Sequence, residues 1–286
     1  MKVLVSGATG FVASHLIPAL VAAGHDVVAA GHDRARIPGG ATALDLDLAA
    51  RDWPRLPDVD AVVHLAQANV PFPEGADALF AVNVAATHRL LEHARRTGAR
   101  RFVLASSGSV YGASAGPLTE ESPLAARDFY SATKVAAERF TQAYDEHLDV
   151  AILRLFVPYG PGQARRMLPR LVERVRSGEP IRLNREGRPR MNPIYVDDVV
   201  RVAVRALEDA ESFGVLNVAG DDVTDVRAVS ELIGEILDIE PSFEVSQAEV
   251  ADIVADNTLL HALLGGAPLV PLREGIERMV ASDRRA

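Results

Sequence analysis

Over the first 160 positions, short continuous apolar runs alternate with longer runs whose apolar residues recur at helical spacing. Lys2–Ser6 (KVLVS), Asp26–Ala30, Ala41–Leu44, Val59–Leu65 (VDAVVHL), Arg101–Ala105 (RFVLA) and Val150–Phe156 (VAILRLF) read as six strands. Phe11–Ala23, Ala76–Arg96 and Arg127–Glu146 read as helices, the first two stopping at Gly24 and Gly98. Strands that are apolar throughout, rather than alternately, are buried on both faces, which calls for a parallel sheet covered by helices on either side. Right-handed crossovers then wind that sheet in both directions. The pattern predicts an α/β fold, a Rossmann-type doubly wound parallel sheet, over residues 1–160.

Beyond Gly160 the periodicity loosens, and Pro and Gly punctuate 158–163, 178–180 and 187–193. Helices are expected at 164–176, 197–209, 225–237 and 271–282, with short strands near 181–183, 215–218 and 242–245. Residues 161–286 read mainly as a smaller C-terminal cap, with segments near 190–220 returning to the sheet.

Composition narrows the chemistry. The 286 residues include no cysteine, so a disulfide framework, a thiolate zinc site and a cysteine nucleophile are excluded. The formal net charge of −9 argues against a nucleic-acid partner. No apolar stretch approaches the roughly 20 residues of a membrane helix, and the N-terminal apolar run is too short for a signal peptide. A cytoplasmic protein with no membrane partner is expected. Within this acidic chain, residues 165–190 concentrate arginine at 165, 166, 170, 174, 176, 182, 185, 188 and 190, against glutamate at 173, 179 and 186. The readings of that cluster are an anion-binding face and a solvated cationic helix face. Of 30 cationic residues only Lys2 and Lys134 are lysine, so Lys134 asks for a reason specific to an ammonium group.

The first strand runs into Gly7-Ala8-Thr9-Gly10-Phe11-Val12-Ala13, a G-x-x-G-x-x-A loop that opens a helix. Small residues let the backbone approach a pyrophosphate, and free N–H groups with the helix dipole favour its charge. A dinucleotide cofactor follows. An NAD site ordinarily has an acid at the end of the second strand, where this chain has Gly31-His32-Asp33-Arg34. Asp33 is placed to reach the ribose and Arg34 to accept a 2′-phosphate, so NAD and NADP both stay open. The fifth strand ends in Ala105-Ser106-Ser107-Gly108-Ser109. A later helix carries Tyr130 and Lys134 at i and i+4, on one face. A nearby ammonium favours phenolate, which suits Tyr130 to general acid/base work on a hydroxyl or carbonyl. Ser107 at a strand's C-terminal end lies where such sheets bind ligands. No metal is expected: His64 has no partner at ligand spacing, and His88 and His93 stand at i and i+5.

Together these residues resemble the extended short-chain dehydrogenase/reductases, the NAD-dependent epimerase/dehydratase group. The resemblance also takes in Val62-Val63-His64-Leu65-Ala66, Asn83, Tyr111-Gly112, Leu153 to Gln163 and Pro193 to Val199. It implies a catalytic set of Ser107, Tyr130 and Lys134. Around the cofactor it implies Gly7, Thr9, Gly10, Phe11, Val12 and Ala13 at the pyrophosphate and Asp33 or Arg34 at the ribose. Asp45-Leu46 would flank the adenine, with Asp47-Leu48 as the alternative pair. Leu65, Ala66, Gln67, Asn83, Ala105 and Ser106 would line the middle of the cofactor, and Phe156, Val157 and Pro158 would pass near the nicotinamide. A substrate-binding cap and a homodimer built on helices 76–96 and 127–146 are also implied.

Substrate candidates are Ser107, Gly108, Ser109, Val157, Arg165, Arg166, Arg188 and Arg190. Family dehydratases carry an acidic pair after the catalytic Ser/Thr; Gly108 and Ser109 stand there instead, which disfavours elimination and decarboxylation. Nucleotide-sugar members usually have Asn at Val157 and Arg at Met191, with Arg188 and Arg190 near enough to substitute. The leading expectation is an epimerase acting through a transient keto form of a sugar-like, phosphorylated or nucleotide-linked small molecule. The alternatives are an NADPH-dependent ketone or aldehyde reductase, and a non-catalytic dinucleotide-sensing or RNA-binding protein, a class that tends to lose the Tyr or the Lys.

Overall fold

The computed structural model describes residues 1–112, 116–185, 187–209, 214–248 and 250–283. In chain order the elements are β1 (Lys2–Ser6), α1 (Phe11–Ala22), β2 (Asp26–Gly31), β3 (Thr42–Asp45), β4 (Ala61–His64), α2 (Ala76–Phe80), α3 (Ala86–Thr97), β5 (Arg101–Ser107), α4 (Phe129–Gln142), β6 (Asp149–Leu155), β7 (Pro158–Tyr159), α5 (Met167–Ser177), β8 (Ile181–Asn184), β9 (Ile194–Tyr195), α6 (Val196–Glu208), β10 (Gly214–Val218), α7 (Val226–Leu237), β11 (Phe243–Ser246), α8 (Thr258–Leu263) and α9 (Leu272–Asp283). They fall into two compact units. Unit 1 comprises 1–110, 124–154 and 199–216; unit 2 comprises 111–123, 155–198 and 217–286.

Unit 1 is built on a seven-stranded sheet of order β10-β6-β5-β4-β1-β2-β3. β1 pairs in parallel with β2 on one side (Val3 opposite Val27) and with β4 on the other (Val3 opposite Ala61). The strand order reverses at β1, so ligands of such a sheet collect at the carboxyl ends near that strand. Leu4, Val62, Phe102 and Ile152 project from one sheet face into a core shared with Leu90 and Leu91 of α3 and Ala137 of α4. Burying a side chain of this size contributes roughly 1.5–3 kcal/mol, which fixes the height of α3 and α4 on the sheet. The expected helix over 76–96 is interrupted by one π-helical turn, Ala81–Ala85, between α2 and α3. Such turns accommodate one extra residue and aim a side chain out of the helical register; here that side chain is Asn83. α4 begins at Asp128, whose carboxylate accepts the Ser131 N–H at 2.7 Å, an N-cap that sets where Tyr130 stands in the first turn.

Unit 2 carries two small parallel pairings, β7 with β9 and β8 with β11 (Ile181 opposite Phe243). α5 packs against α7 through a face that buries Leu168, Leu171, Val172 and Val175, leaving its arginines outside. α8 was not expected from the sequence, nor were β7 and β9. Asp198, in the first turn of α6, is buried and accepts the Val270 N–H at 2.8 Å.

Candidate active site

The glycine loop occupies the turn from β1 to α1. Gly7 has φ +75°, and a Cβ there would stand 2.6 Å from the Ala66 backbone nitrogen, so only glycine lets the two segments approach. Gly10 is the N-cap of α1 and supplies no side-chain cap. The first N–H groups of α1 are therefore left for an anion, as a pyrophosphate requires. Loop and helix end fit the phosphates of a dinucleotide.

The adenine side is more selective than the sequence alone. Asp45 ends β3 opposite Gly31, and its side chain is exposed, whereas Leu46 is buried in the core and its N–H donates to the Gly31 carbonyl at 3.1 Å. Asp47 spends its carboxylate on the Ala49 N–H at 2.9 Å, which leaves Asp45 as the free acid of the region. Asn83 is buried, and its amide makes three hydrogen bonds: Oδ1 accepts the Ala68 N–H, and Nδ2 donates to Ala68 O and Thr133 Oγ1. It holds the 65–68 loop against α4.

β5 runs two residues further than expected, so Ser106 and Ser107 point to opposite sheet faces. Ser106 turns inward and its hydroxyl donates to Glu138, so any part it plays beside the cofactor falls to its backbone. Ser107 turns outward. Its Oγ accepts the Ser109 N–H at 3.2 Å, which leaves its own proton to give to a reacting oxygen. The Ser109 hydroxyl is sealed from solvent without a partner among the described residues.

Lys134 is the most buried cation of unit 1, 1% exposed, with Nζ donating to the Ala105 carbonyl at 2.6 Å. Burial pulls its pKa down to about 8, and the negative charge of Glu138 one turn along α4 opposes that fall. Glu138 is itself held by Arg154 of β6, with Nη2 to Oε2 at 2.7 Å, and both side chains are almost wholly buried. Tyr130, one turn before Lys134, donates its hydroxyl to Gln67 Oε1 at 2.8 Å. His64 lies between Ser6 Oγ (2.6 Å from Nδ1) and Thr87 Oγ1 (3.0 Å from Nε2). Burial, and then the Lys134 charge, pull its pKa down to about 3. It is a neutral strut under the site.

Sequence reasoning missed Glu138 and Arg154. The signals were present: a glutamate continuing the i, i+4 spacing of Tyr130 and Lys134, and an arginine inside the apolar strand AILRLF.

Unit 2 holds the remaining candidates. Val157 adopts φ +46°, a left-handed conformation that a β-branched residue resists. Phe156 is buried and its N–H donates to Val218 O at 2.9 Å; Pro158 O accepts from Gln163 Nε2 at 2.8 Å. Met191 is buried and paired through its backbone with Thr224. Arg188, expected as a substitute cation, is ion-paired to Asp252 at 2.5 Å, and the same carboxylate accepts the Arg190 N–H. Arg165 and Arg166 instead line an open cavity of about 850 Å3 with Arg170, Arg174 and Arg182. Among the described residues no ion pair engages Arg165, Arg166, Arg170 or Arg182.

Comparison with known proteins places this geometry. A probable UDP-glucuronate 4-epimerase of Rhizobium meliloti is 29% identical, over 98% of this chain and 96% of its own. The UDP-glucose 4-epimerase of Mycolicibacterium smegmatis is 31% identical, over 98% and 97%. Among solved structures, MoeE5 in complex with UDP-glucuronic acid and NAD superposes with a TM-score of 0.87 at 30% identity, covering 100% of this chain and 99% of that one. UDP-glucuronic acid 4-epimerase from Bacillus cereus with NAD gives 0.88 at 25%, over 100% and 99%. Residues 3–219 match the family model described as NAD dependent epimerase/dehydratase. With its glycine loop and its Ser107, Tyr130 and Lys134 intact, the chain belongs to the NAD dependent epimerase/dehydratase family.

Proposed function

We propose that the protein is an NAD-dependent epimerase that inverts the 4-carbinol of a UDP-linked hexose or hexuronate. One observation carries this reading. Unit 1 keeps the whole Ser107, Tyr130 and Lys134 set and has Gly108 and Ser109, not carboxylates, behind Ser107. Elimination of water needs a second proton carrier, whereas epimerisation needs only the reversible movement of one hydroxyl proton.

Bound NAD supplies hydride acceptance and return. The chain's own residues do the rest. Lys134 keeps a positive charge one turn from Tyr130, which favours the phenolate. Tyr130 exchanges its Gln67 partner for the substrate hydroxyl, takes that proton on oxidation and gives it back on reduction. Ser107 donates to the same oxygen and holds it in place, which favours the polarised carbonyl. In unit 2, Arg165, Arg166, Arg170 and Arg182, which no ion pair engages among the described residues, are the candidates for the anionic part of the substrate.

Curated relatives and structural neighbours act on or bind UDP-glucose and UDP-glucuronic acid, which supports this substrate class. No helix among the described residues is long and apolar enough to cross a membrane. A cytoplasmic location fits an enzyme that draws on soluble NAD and sugar nucleotides. A homodimer through α2, α3 and α4 is supported by Phe80 (55% exposed) and Phe140 (41% exposed), which stand on those helices.

The test offers UDP-glucose and UDP-glucuronic acid to wild type and Tyr130→Phe and follows the sugar anomeric signals by NMR. Wild type should interconvert one of them with its 4-epimer. Tyr130→Phe should still bind cofactor yet lose turnover by about 100-fold or more. Unchanged turnover in the variant would remove Tyr130 from the chemistry.

A further inference from the structure

β2 closes on Gly31, opposite Asp45 of β3, and this is its last ladder position. In a dinucleotide-binding sheet that position carries the carboxylate that takes the hydroxyls of the adenosine ribose. A side chain there would press on the glycine loop. A Cβ on Gly31 would stand 3.0 Å from the Thr9 methyl and 3.5 Å from the Thr9 nitrogen, so Thr9 of the glycine loop fills the slot.

The next acid is Asp33, two residues past the strand. Its Oδ1 accepts the Ala35 N–H at 3.1 Å, as N-cap of the 3-10 turn Arg34–Arg36. That turn brings Arg36 back to the glycine loop, where Nη2 donates to the Thr9 carbonyl at 3.3 Å. A guanidinium therefore lies against Thr9, the residue that occupies the acid's place. Arg34 and His32 are exposed beside it, and Arg34 has no ion pair among the described residues. Of the two nearby carboxylates, Asp33 is committed to a cap and flanked by two arginines, and Asp45 belongs to the neighbouring strand, on the adenine side.

A 2′-hydroxyl meets no acid at the end of β2. A 2′-phosphate would meet a planar donor fork with charge to match. We propose that this edge of the dinucleotide site accepts the 2′-phosphate of NADP(H) through Arg34 and Arg36, so that the protein binds NADP at least as tightly as NAD. The inference rests on the reading of unit 1 as a dinucleotide site and departs from neighbours whose structures hold NAD.

Calorimetric titration of the full chain with NAD, NADP and 2′,5′-ADP tests it, after any co-purified nucleotide has been released and identified. Wild type should bind NADP with a Kd no higher than that of NAD, and should bind 2′,5′-ADP more tightly than ADP. Arg34→Ala leaves the Arg36–Thr9 bond in place. It should raise the Kd for NADP about tenfold and leave that for NAD within about threefold. Arg34→Ala with Arg36→Ala should widen the gap further. NAD binding at least tenfold tighter than NADP, or variants that weaken both alike, would overturn the inference and leave the epimerase reading standing. Binding of neither dinucleotide would overturn both.

Discussion

Lys134→Met removes an ammonium from the interior of unit 1 and keeps most of its volume. The fall in the Lys134 pKa from the ordinary 10.5 to about 8 corresponds to about 3 kcal/mol held against the charged form at neutral pH. The substitution forfeits one hydrogen bond and leaves the Ala105 carbonyl without its donor, which costs about 1 kcal/mol. Glu138 keeps Arg154 and Ser106, so no carboxylate is orphaned. The variant should be more stable than wild type by roughly 2 kcal/mol at pH 7, yet nearly inactive. The advantage should depend on pH in a defined sense. Between pH 8 and 10.5 the folded lysine is neutral while the unfolded one still binds a proton, so wild type gains stability as pH rises through that window. By pH 9.5 the gain reaches about 2 kcal/mol, and the two proteins should converge. Trp53 is the sole tryptophan and lies in unit 1, so its fluorescence in a denaturant titration reports the relevant unfolding. A variant less stable than wild type at pH 7, or a difference that ignores pH, would refute the view that the charge of Lys134 is kept at the expense of stability.

Two further outcomes are expected. Val157→Asn should raise the apparent unfolding temperature, because asparagine tolerates the φ of +46° that valine resists, at a saving of about 1 kcal/mol; a lower temperature would show that packing of the valine outweighs its backbone. Wild type should sediment as a dimer, and Phe80→Asp with Phe140→Asp should sediment as a monomer; a dimer that survives both changes would place the interface elsewhere.

Much of unit 1 is legible because its signals are local. Apolar runs give the strands, and glycines give the helix stops. The catalytic tyrosine and lysine share a helix face whatever surrounds them. Where reading failed, the cause was a distant partner. Ser106 looks like loop because it is polar, but Glu138, 32 residues on, lets it end a buried strand. Arg188 looks like a free cation until Asp252, 64 residues on, is placed beside it. The π-helical turn at Ala81–Ala85 has no compositional mark, since its residues suit an α-helix equally well. α8 is six residues between Asn257 and a pair of glycines, too short for periodicity to show.

The order in which the sheet takes its strands bears on how the protein is made. One edge strand, β10, comes from residues 214–218, while its neighbour β6 ends at Leu155. A ribosome must therefore add some sixty more residues, most of them belonging to unit 2, before the sheet of unit 1 can close. Synthesis at about 5–20 residues per second leaves that strand edge unpaired for several seconds. An open, apolar edge is the surface on which strands of other chains pair. The interleaving of the two units thus makes the nascent chain a natural client for chaperones during this interval, and it puts a premium on translating residues 156–218 without pause.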